Sequence, residues 1–293
     1  MDTAEICKLR IGSPSQNVEN TWDDELQQLA QTLPKEEAWI SGVKFYLYQG
    51  FWCTALALKP VVSFQKHFRA FDSDVIIATF PKCGTTWLKA LTFSTLYRNQ
   101  FAMDQHPLLT FTPHQLVRFF EYDVYLDNPC PDLESMCVYK PRVFSTHVPY
   151  ASLPSSVKDS HYKLRDESKE LLSLDEAFDK FCNGVYIKED TGSQLKRLAM
   201  FLGVPFTEDE EMQGVVEEIT NICSFESLKD LEVNKKGLHV SGISHKDFFR
   251  KGKVGDWSNY LTPSMVERME KLAQEKLEDS GLTFNLSSKT SNA

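Results

Sequence analysis

The chain has 293 residues, 42% of them hydrophobic and 25% charged, with a formal net charge of −9. That charge opposes broad binding to nucleic acid or to anionic membrane, and no apolar run approaches the roughly 20 residues that cross a bilayer. Seven cysteines at irregular spacing, with no Cys-x-x-Cys pair, predict free thiols in a reducing compartment and no metal site.

The first residues, Met1-Asp2-Thr3-Ala4-Glu5, are acidic and unlike the basic n-region of a secretory signal; a cytoplasmic protein is expected. The most telling stretch runs from Asp74 to Lys89. A β-branched run (Val75, Ile76, Ile77) breaks at Pro81, passes through Lys82-Cys83-Gly84-Thr85-Thr86, and resumes as an amphipathic pattern at Trp87, Leu88, Leu91 and Leu96. The pattern predicts a buried strand, a tight loop and a helix N-terminus. Loops of this kind aim several backbone N–H groups and the positive end of a helix dipole at one point, which suits a phosphate. Lys82 adds a mobile cation, Gly84 lets the backbone approach closely, and Thr85 and Thr86 add hydroxyl donors. In a nucleoside-triphosphate loop the lysine follows the second glycine; here Lys82 precedes the single glycine, so a kinase or ATPase fits poorly.

A second strand is predicted over Arg142–His147. His147 at its end suits a general base, because imidazole titrates near neutral pH; a lone strand-end histidine is otherwise more often structural. Residues 153–195 are polar and charged, with one amphipathic stretch, Leu174–Phe181, and the short run Gly184–Ile187. Glu208-Asp209-Glu210-Glu211 reads as the first turn of a helix, where negative charge suits the dipole. Arg250-Lys251-Gly252-Lys253 is a basic run set between aromatics, Met265–Leu277 a surface helix, and Ser287–Ala293 a fraying tail. Two strong strand candidates are few for a parallel sheet, which usually has about five strands.

Phe80-Pro81-Lys82-Cys83-Gly84-Thr85-Thr86-Trp87 resembles the 5′-phosphosulfate loop of the cytosolic sulfotransferases, which usually carries serine at the place of Cys83. Arg142-Val143-Phe144-Ser145-Thr146-His147 is similar to the strand that ends in the family's catalytic histidine. Arg250-Lys251-Gly252-Lys253-Val254-Gly255-Asp256-Trp257 resembles the R-K-G-x-x-G-D-W signature. The likeness covers most of the chain and is greatest to plant, flavonol-sulfotransferase-like members. It implies a single α/β domain over residues 1–293, built as a P-loop-like parallel sheet flanked by helices. It further implies transfer of a sulfuryl group from 3′-phosphoadenosine 5′-phosphosulfate (PAPS) to a hydroxyl of a small acceptor.

By the same resemblance His147 is the base and Lys82 the electrostatic catalyst. Lys82, Cys83, Gly84, Thr85 and Thr86 surround the 5′-phosphosulfate, Trp87 and Phe225 enclose the adenine, and Arg250, Lys251 and Gly252 hold the 3′-phosphate. Trp52, His114, Phe119, Phe120 and Tyr122 fall in acceptor-facing segments, although aromatics at such spacing are more often core. Arg118 stands where relatives tend to have proline and is expected to alter the mouth of the acceptor pocket. After Ser160, and again near Val185–Asp190, relatives carry a strand-plus-helix unit for which this chain has no counterpart; two such units are expected to be missing. The missing units leave open a second reading, a non-catalytic protein that keeps some nucleotide affinity. The family's dimerisation string is degenerate over Ser258–Glu267, so a monomer is expected.

Overall fold

The computed structural model describes Glu19 and residues 22–37, 43–159, 190–252 and 256–277. The described residues within 1–162 and 221–250 form one compact unit, and those within 163–220 and 251–293 form another.

In the first unit helix α1 (Asp24–Thr32) starts at Asp23, whose carboxylate accepts from the Leu26 amide and so caps the helix. Three short strands follow as an antiparallel sheet: β1 (Lys35–Glu37), β2 (Lys44–Tyr48) and β3 (Phe51–Thr54). The β2–β3 connection is the two-residue turn Gln49-Gly50, with φ of 50° and 84°, the left-handed pair that matches strand twist in tight hairpins. Helix α2 (Ala55–His67), capped by Thr54, buries Leu58, Val61 and Phe64.

The two predicted strands form and pair with each other. Strand β4 (Val75–Ala78) lies parallel to β6 (Val143–Thr146), with Val75 opposite Val143 and Ala78 opposite Thr146. A third strand, β5 (Arg118–Phe119), pairs with the other edge of β6, giving the order β4-β6-β5. Side chains alternate across this parallel sheet. Ile76 and Phe144 face a core with Phe64, Phe68 and Phe120, whereas Val75, Ile77 and Val143 face one with Phe93, Tyr97 and Val117. The Phe64 and Phe120 rings stack at 4.0 Å, and Phe120 meets Phe144 at 4.7 Å. At the start of the sheet Arg142 Nε donates to Asp74 Oδ1 at 2.7 Å, both side chains being buried.

The second unit is helical. Helix α3 spans Thr191–Phe201 and α4 Glu208–Met212. Thr207 and Glu210 make a reciprocal capping box at the start of α4, so the acidic run is a first helical turn as its sequence predicts. Lys196 reaches Glu211 at 2.6 Å. Helix α5, Pro263–Leu277, carries exposed Met265, Met269 and Leu272, in line with the predicted surface helix. The segments Leu174–Phe181 and Gly184–Ile187, the two expected losses and the tail after Ser287 lie outside the described residues. Among the described residues no helix is long and apolar enough to cross a membrane.

Candidate active site

Strand β4 delivers the chain into Thr79-Phe80-Pro81-Lys82-Cys83-Gly84, and a helix of twelve residues, Thr85–Leu96, leaves it. Lys82 and Gly84 both adopt left-handed backbone, with φ of 68° and 86°. Glycine is required there for an unstrained turn, and a non-glycine at positive φ is strain of the kind that clusters at functional sites. No side chain caps the helix at Gly84, so its first-turn amides have no acceptor within the helix. A Cβ added at Gly84 would meet no atom within 4 Å. Open space therefore faces uncapped donors. The Trp87 indole N–H is buried without a hydrogen-bond partner. These features fit an anionic nucleotide laid against the loop. Lys82 and Cys83 are exposed, and the Lys82 ammonium lies 5.8 Å from the centre of the Phe248 ring.

Strand pairing brings His147 to this loop. The Thr79 amide donates to the Thr146 carbonyl at 3.1 Å, extending the β4–β6 ladder by one step. His147 Nδ1 then lies 2.7 Å from the Thr79 carbonyl oxygen. A carbonyl only accepts, so this contact assigns the proton to Nδ1 and leaves the Nε2 lone pair free to take a proton. Burial pushes the His147 pKa below its ordinary value; the Thr79 bond opposes that shift, and the Lys89 cation adds to it. Burial thus favours the neutral imidazole. Thr79 Oγ1 also meets Thr85 Oγ1 at 2.7 Å, which couples the loop to the strand end.

The backbone after His147's strand is held from the side by Glu121, on the π-helical turn Phe120–Val124. The His147 amide donates to Glu121 Oε1 at 2.6 Å and the Thr146 hydroxyl to Oε2 at 2.9 Å. Burial pushes the Glu121 carboxyl up to about 7 against those hydrogen bonds. Lys89, wholly buried on the loop's helix, places its ammonium 3.2 Å from the centre of the Phe119 ring and 3.0 Å from His114 Nδ1. Burial lowers its pKa, while Asp123 and Glu121 favour the charged form. His239 is held down to about 4, chiefly by burial and then by the Lys89 cation. Lysine in a helix ordinarily reads as solvent-facing, so Lys89, Glu121, Asp123 and His239 escape sequence reasoning. The one local signal is the four-residue step from Thr85 to Lys89, which puts both on one helix face.

The acceptor-side expectations divide. Phe119 stands 4.7 Å from the His147 ring and 5.6 Å from Tyr122, whereas Phe120 belongs to the aromatic core. Trp52 is 48% exposed. His114 is buried and tied to the loop helix, with Nε2 3.0 Å from Thr86 Oγ1. Arg118 lines a cavity of about 80 Å³ with Tyr97, Cys137 and Tyr139, and neither His147 nor the phosphate loop contributes to that lining. Phe225 begins a short helix, and its ring lies 6.2 Å from Phe249. Arg250 is exposed in the first unit. In the second, Lys251 Nζ donates to Asp256 Oδ1 at 3.0 Å and Gly252 has φ of 60°.

A parallel sheet that ends in an uncapped strand-to-helix loop beside an oriented histidine defines an α/β protein. The sulfotransferase-domain family model matches residues 72–164 and 175–281. Cytosolic sulfotransferase 15 of Arabidopsis thaliana is 41% identical over 318 residues, covering 90% of this chain and 88% of the relative. A crystal structure of an Arabidopsis thaliana candidate steroid sulphotransferase superposes with a TM-score of 0.61 at 29% identity, over 95% of this chain and all of the other. Mouse sulfotransferase SULT7A1, complexed with PAP, shares the fold at a TM-score of 0.51 and 20% identity, over 80% of this chain and 95% of that one. The chain belongs to the sulfotransferase family, and its α/β fold and transferase class follow from that membership.

Proposed function

We propose that the chain is a PAPS-dependent sulfotransferase acting on a hydroxyl of a small acceptor in the cytoplasm, as a monomer with one sulfotransferase domain. The observation that carries this reading is His147: its Nδ1 proton is committed to Thr79, and its free Nε2 stands at the end of the strand next to the phosphate loop. The family match on both sides of the division between the compact units supports one domain.

PAPS, when bound, supplies an electrophilic sulfuryl group on a phosphate leaving group. The first-turn amides after Gly84, with the Thr85 and Thr86 hydroxyls, hold the 5′-phosphate side of the donor. His147 Nε2 takes the proton of the acceptor hydroxyl as its oxygen bonds to sulfur. Lys82 faces the negative charge left on the bridging oxygen when the sulfur–oxygen bond breaks. Cys83 offers a weaker donor than serine, so the loop relies on its amides. Trp87 and Phe225 supply aromatic faces for the adenine, and Arg250, Lys251 and the Gly252 amide are the donors for the 3′-phosphate. The Phe119 and Tyr122 rings offer an apolar wall to a phenol or alcohol.

The test is sulfate transfer from PAPS to a panel of simple phenols and alcohols, run beside binding of 3′,5′-adenosine bisphosphate (PAP). His147→Ala is expected to lower turnover by about 10²–10⁴-fold and to leave PAP affinity unchanged; turnover that survives removes His147 from the role of base.

A second reading, a nucleotide-binding protein without transfer, has one observation in its favour. The aligned span to the Arabidopsis relative is 318 residues, longer than this 293-residue chain, which fits the expected loss of two strand-plus-helix units. PAP binding with no transfer to any acceptor would select it.

A further inference from the structure

Behind the phosphate loop, Lys89 and His114, which the transfer chemistry does not itself use, form a line of hydrogen bonds with Thr86 within the first unit. Lys89 Nζ lies 3.0 Å from His114 Nδ1, and His114 Nε2 lies 3.0 Å from Thr86 Oγ1. Lys89 and His114 are both buried, at 0% and 5% exposure. His114 is clamped by rings, with Phe248 at 4.4 Å and Phe119 at 5.5 Å.

The line has a direction. A lysine ammonium has three hydrogens and no lone pair, so it donates to His114 Nδ1. Burial lowers the Lys89 pKa to about 7; its seat on the Phe119 face at 3.2 Å and the nearby Asp123 and Glu121 oppose that shift, and the line runs in this direction when Lys89 is charged. A His114 whose Nδ1 accepts carries its proton on Nε2, and Nε2–H therefore donates to Thr86 Oγ1. Burial and the Lys89 cation both keep this imidazole from taking a second proton. With a lone pair of Thr86 Oγ1 occupied from behind, its own hydrogen is left to point away from His114. Thr86 is the second residue of the uncapped helix, beside the amides that lack internal partners.

The geometry points to Lys89 and His114 as positioning residues that fix the Thr86 hydroxyl as a donor towards the 5′-phosphate of the nucleotide. A free threonine hydroxyl rotates and can present either a hydrogen or a lone pair; a lone pair facing a phosphate oxygen would repel it. The buried line removes that freedom before the nucleotide arrives, which is preorganisation of a charged contact. This role rests on the PAPS reading above, since it needs a phosphate at the loop.

The experiment measures binding of PAP and of adenosine 3′-phosphate, which lacks the 5′-phosphate, by titration calorimetry on the full chain. The variants are His114→Phe, His114→Gln, Thr86→Val and the His114→Phe/Thr86→Val pair. His114→Phe is expected to weaken PAP about tenfold, in the range of one hydrogen bond to a charged oxygen, and to leave adenosine 3′-phosphate unchanged. His114→Gln, whose terminal amide nitrogen takes the place of Nε2, is expected to restore most of the loss. The pair should bind PAP no worse than Thr86→Val alone, because both changes break one line. A loss shared equally by the two ligands, additive losses in the pair, or no loss at all would overturn the positioning role while leaving the PAPS site standing. Failure of the unmodified chain to bind PAP would instead overturn the PAPS reading, and this role with it.

Discussion

His147 shows how much one main-chain acceptor can decide. The Thr79 carbonyl fixes its tautomer, and burial, reinforced by Lys89, holds its pKa below the ordinary histidine value. With His147 as the proposed base, turnover needs the neutral imidazole, and the rate is expected to stay level as pH falls through about 6.5 and to drop only below it. A pH profile of kcat/KM checks this; an acid limb above 6.5 would show a raised value and contradict the burial argument. The same depression has a stability consequence. The unfolded imidazole binds a proton between its own pKa and the lower folded one, so His147's stabilising share is complete above the unfolded value and fades as pH falls towards the folded one. Lys82→Met is expected to lower kcat by about 10²–10³-fold, as for loss of one oxyanion donor, with PAP affinity less affected. Single-turnover kinetics separate the two effects. His147 and Lys82 are legible in the sequence because each stands at a break between an apolar run and a turn. Lys89 is not, because its burial depends on Phe119 and the Phe120–Val124 turn folding against it, a contact 30 residues distant in the chain.

At the level of elements, the strand–loop–helix unit and the second strand are readable from β-branched runs and the Pro-x-x-Gly break, whereas their parallel register is visible only in the structure. Strand β5 is two residues long, too short for any period to register, and the antiparallel β1–β3 sheet is built from strands whose outer faces stay wet. What locks β4 to β6 at their N-terminal ends is the buried Arg142–Asp74 pair. Removing Asp74 leaves the buried Arg142 guanidinium to the exposed Glu134 carboxylate at 3.0 Å and the Arg69 carbonyl, so Asp74→Ala is expected to cost about 3 kcal/mol, the low end for breaking a buried pair, measured by urea unfolding. A loss under 1 kcal/mol would show that the sheet does not depend on the pair. Gly84→Ala tests the loop itself. There is room for the Cβ, yet the backbone sits at φ of 86°, where an L side chain costs about 1–2 kcal/mol. PAP affinity is expected to fall more than stability does, because the loop relaxes out of its binding shape; unchanged affinity would show that the loop tolerates an L side chain there.

For the whole molecule, the family and its α/β class follow from motifs at three separated places in the chain, while the size of the sheet does not. The described parallel sheet has three strands, and the stretch in which two strand-plus-helix units are expected to be missing falls largely on residues 160–189, outside the description. Composition there is polar and offers no period to read. We propose that this chain keeps a working nucleotide site at the Lys82–Trp87 loop whether or not those units are missing. Thermal unfolding of the purified chain is measured with and without PAP, with adenosine 5′-monophosphate as control. At about 100 times Kd, PAP should stabilise a folded binder by roughly 2.7 kcal/mol, a rise of roughly 5–10 °C for a domain of this size, with little effect from the monophosphate. A cooperative transition that PAP leaves unmoved, or no cooperative transition at all, would show that the loop holds no working nucleotide site.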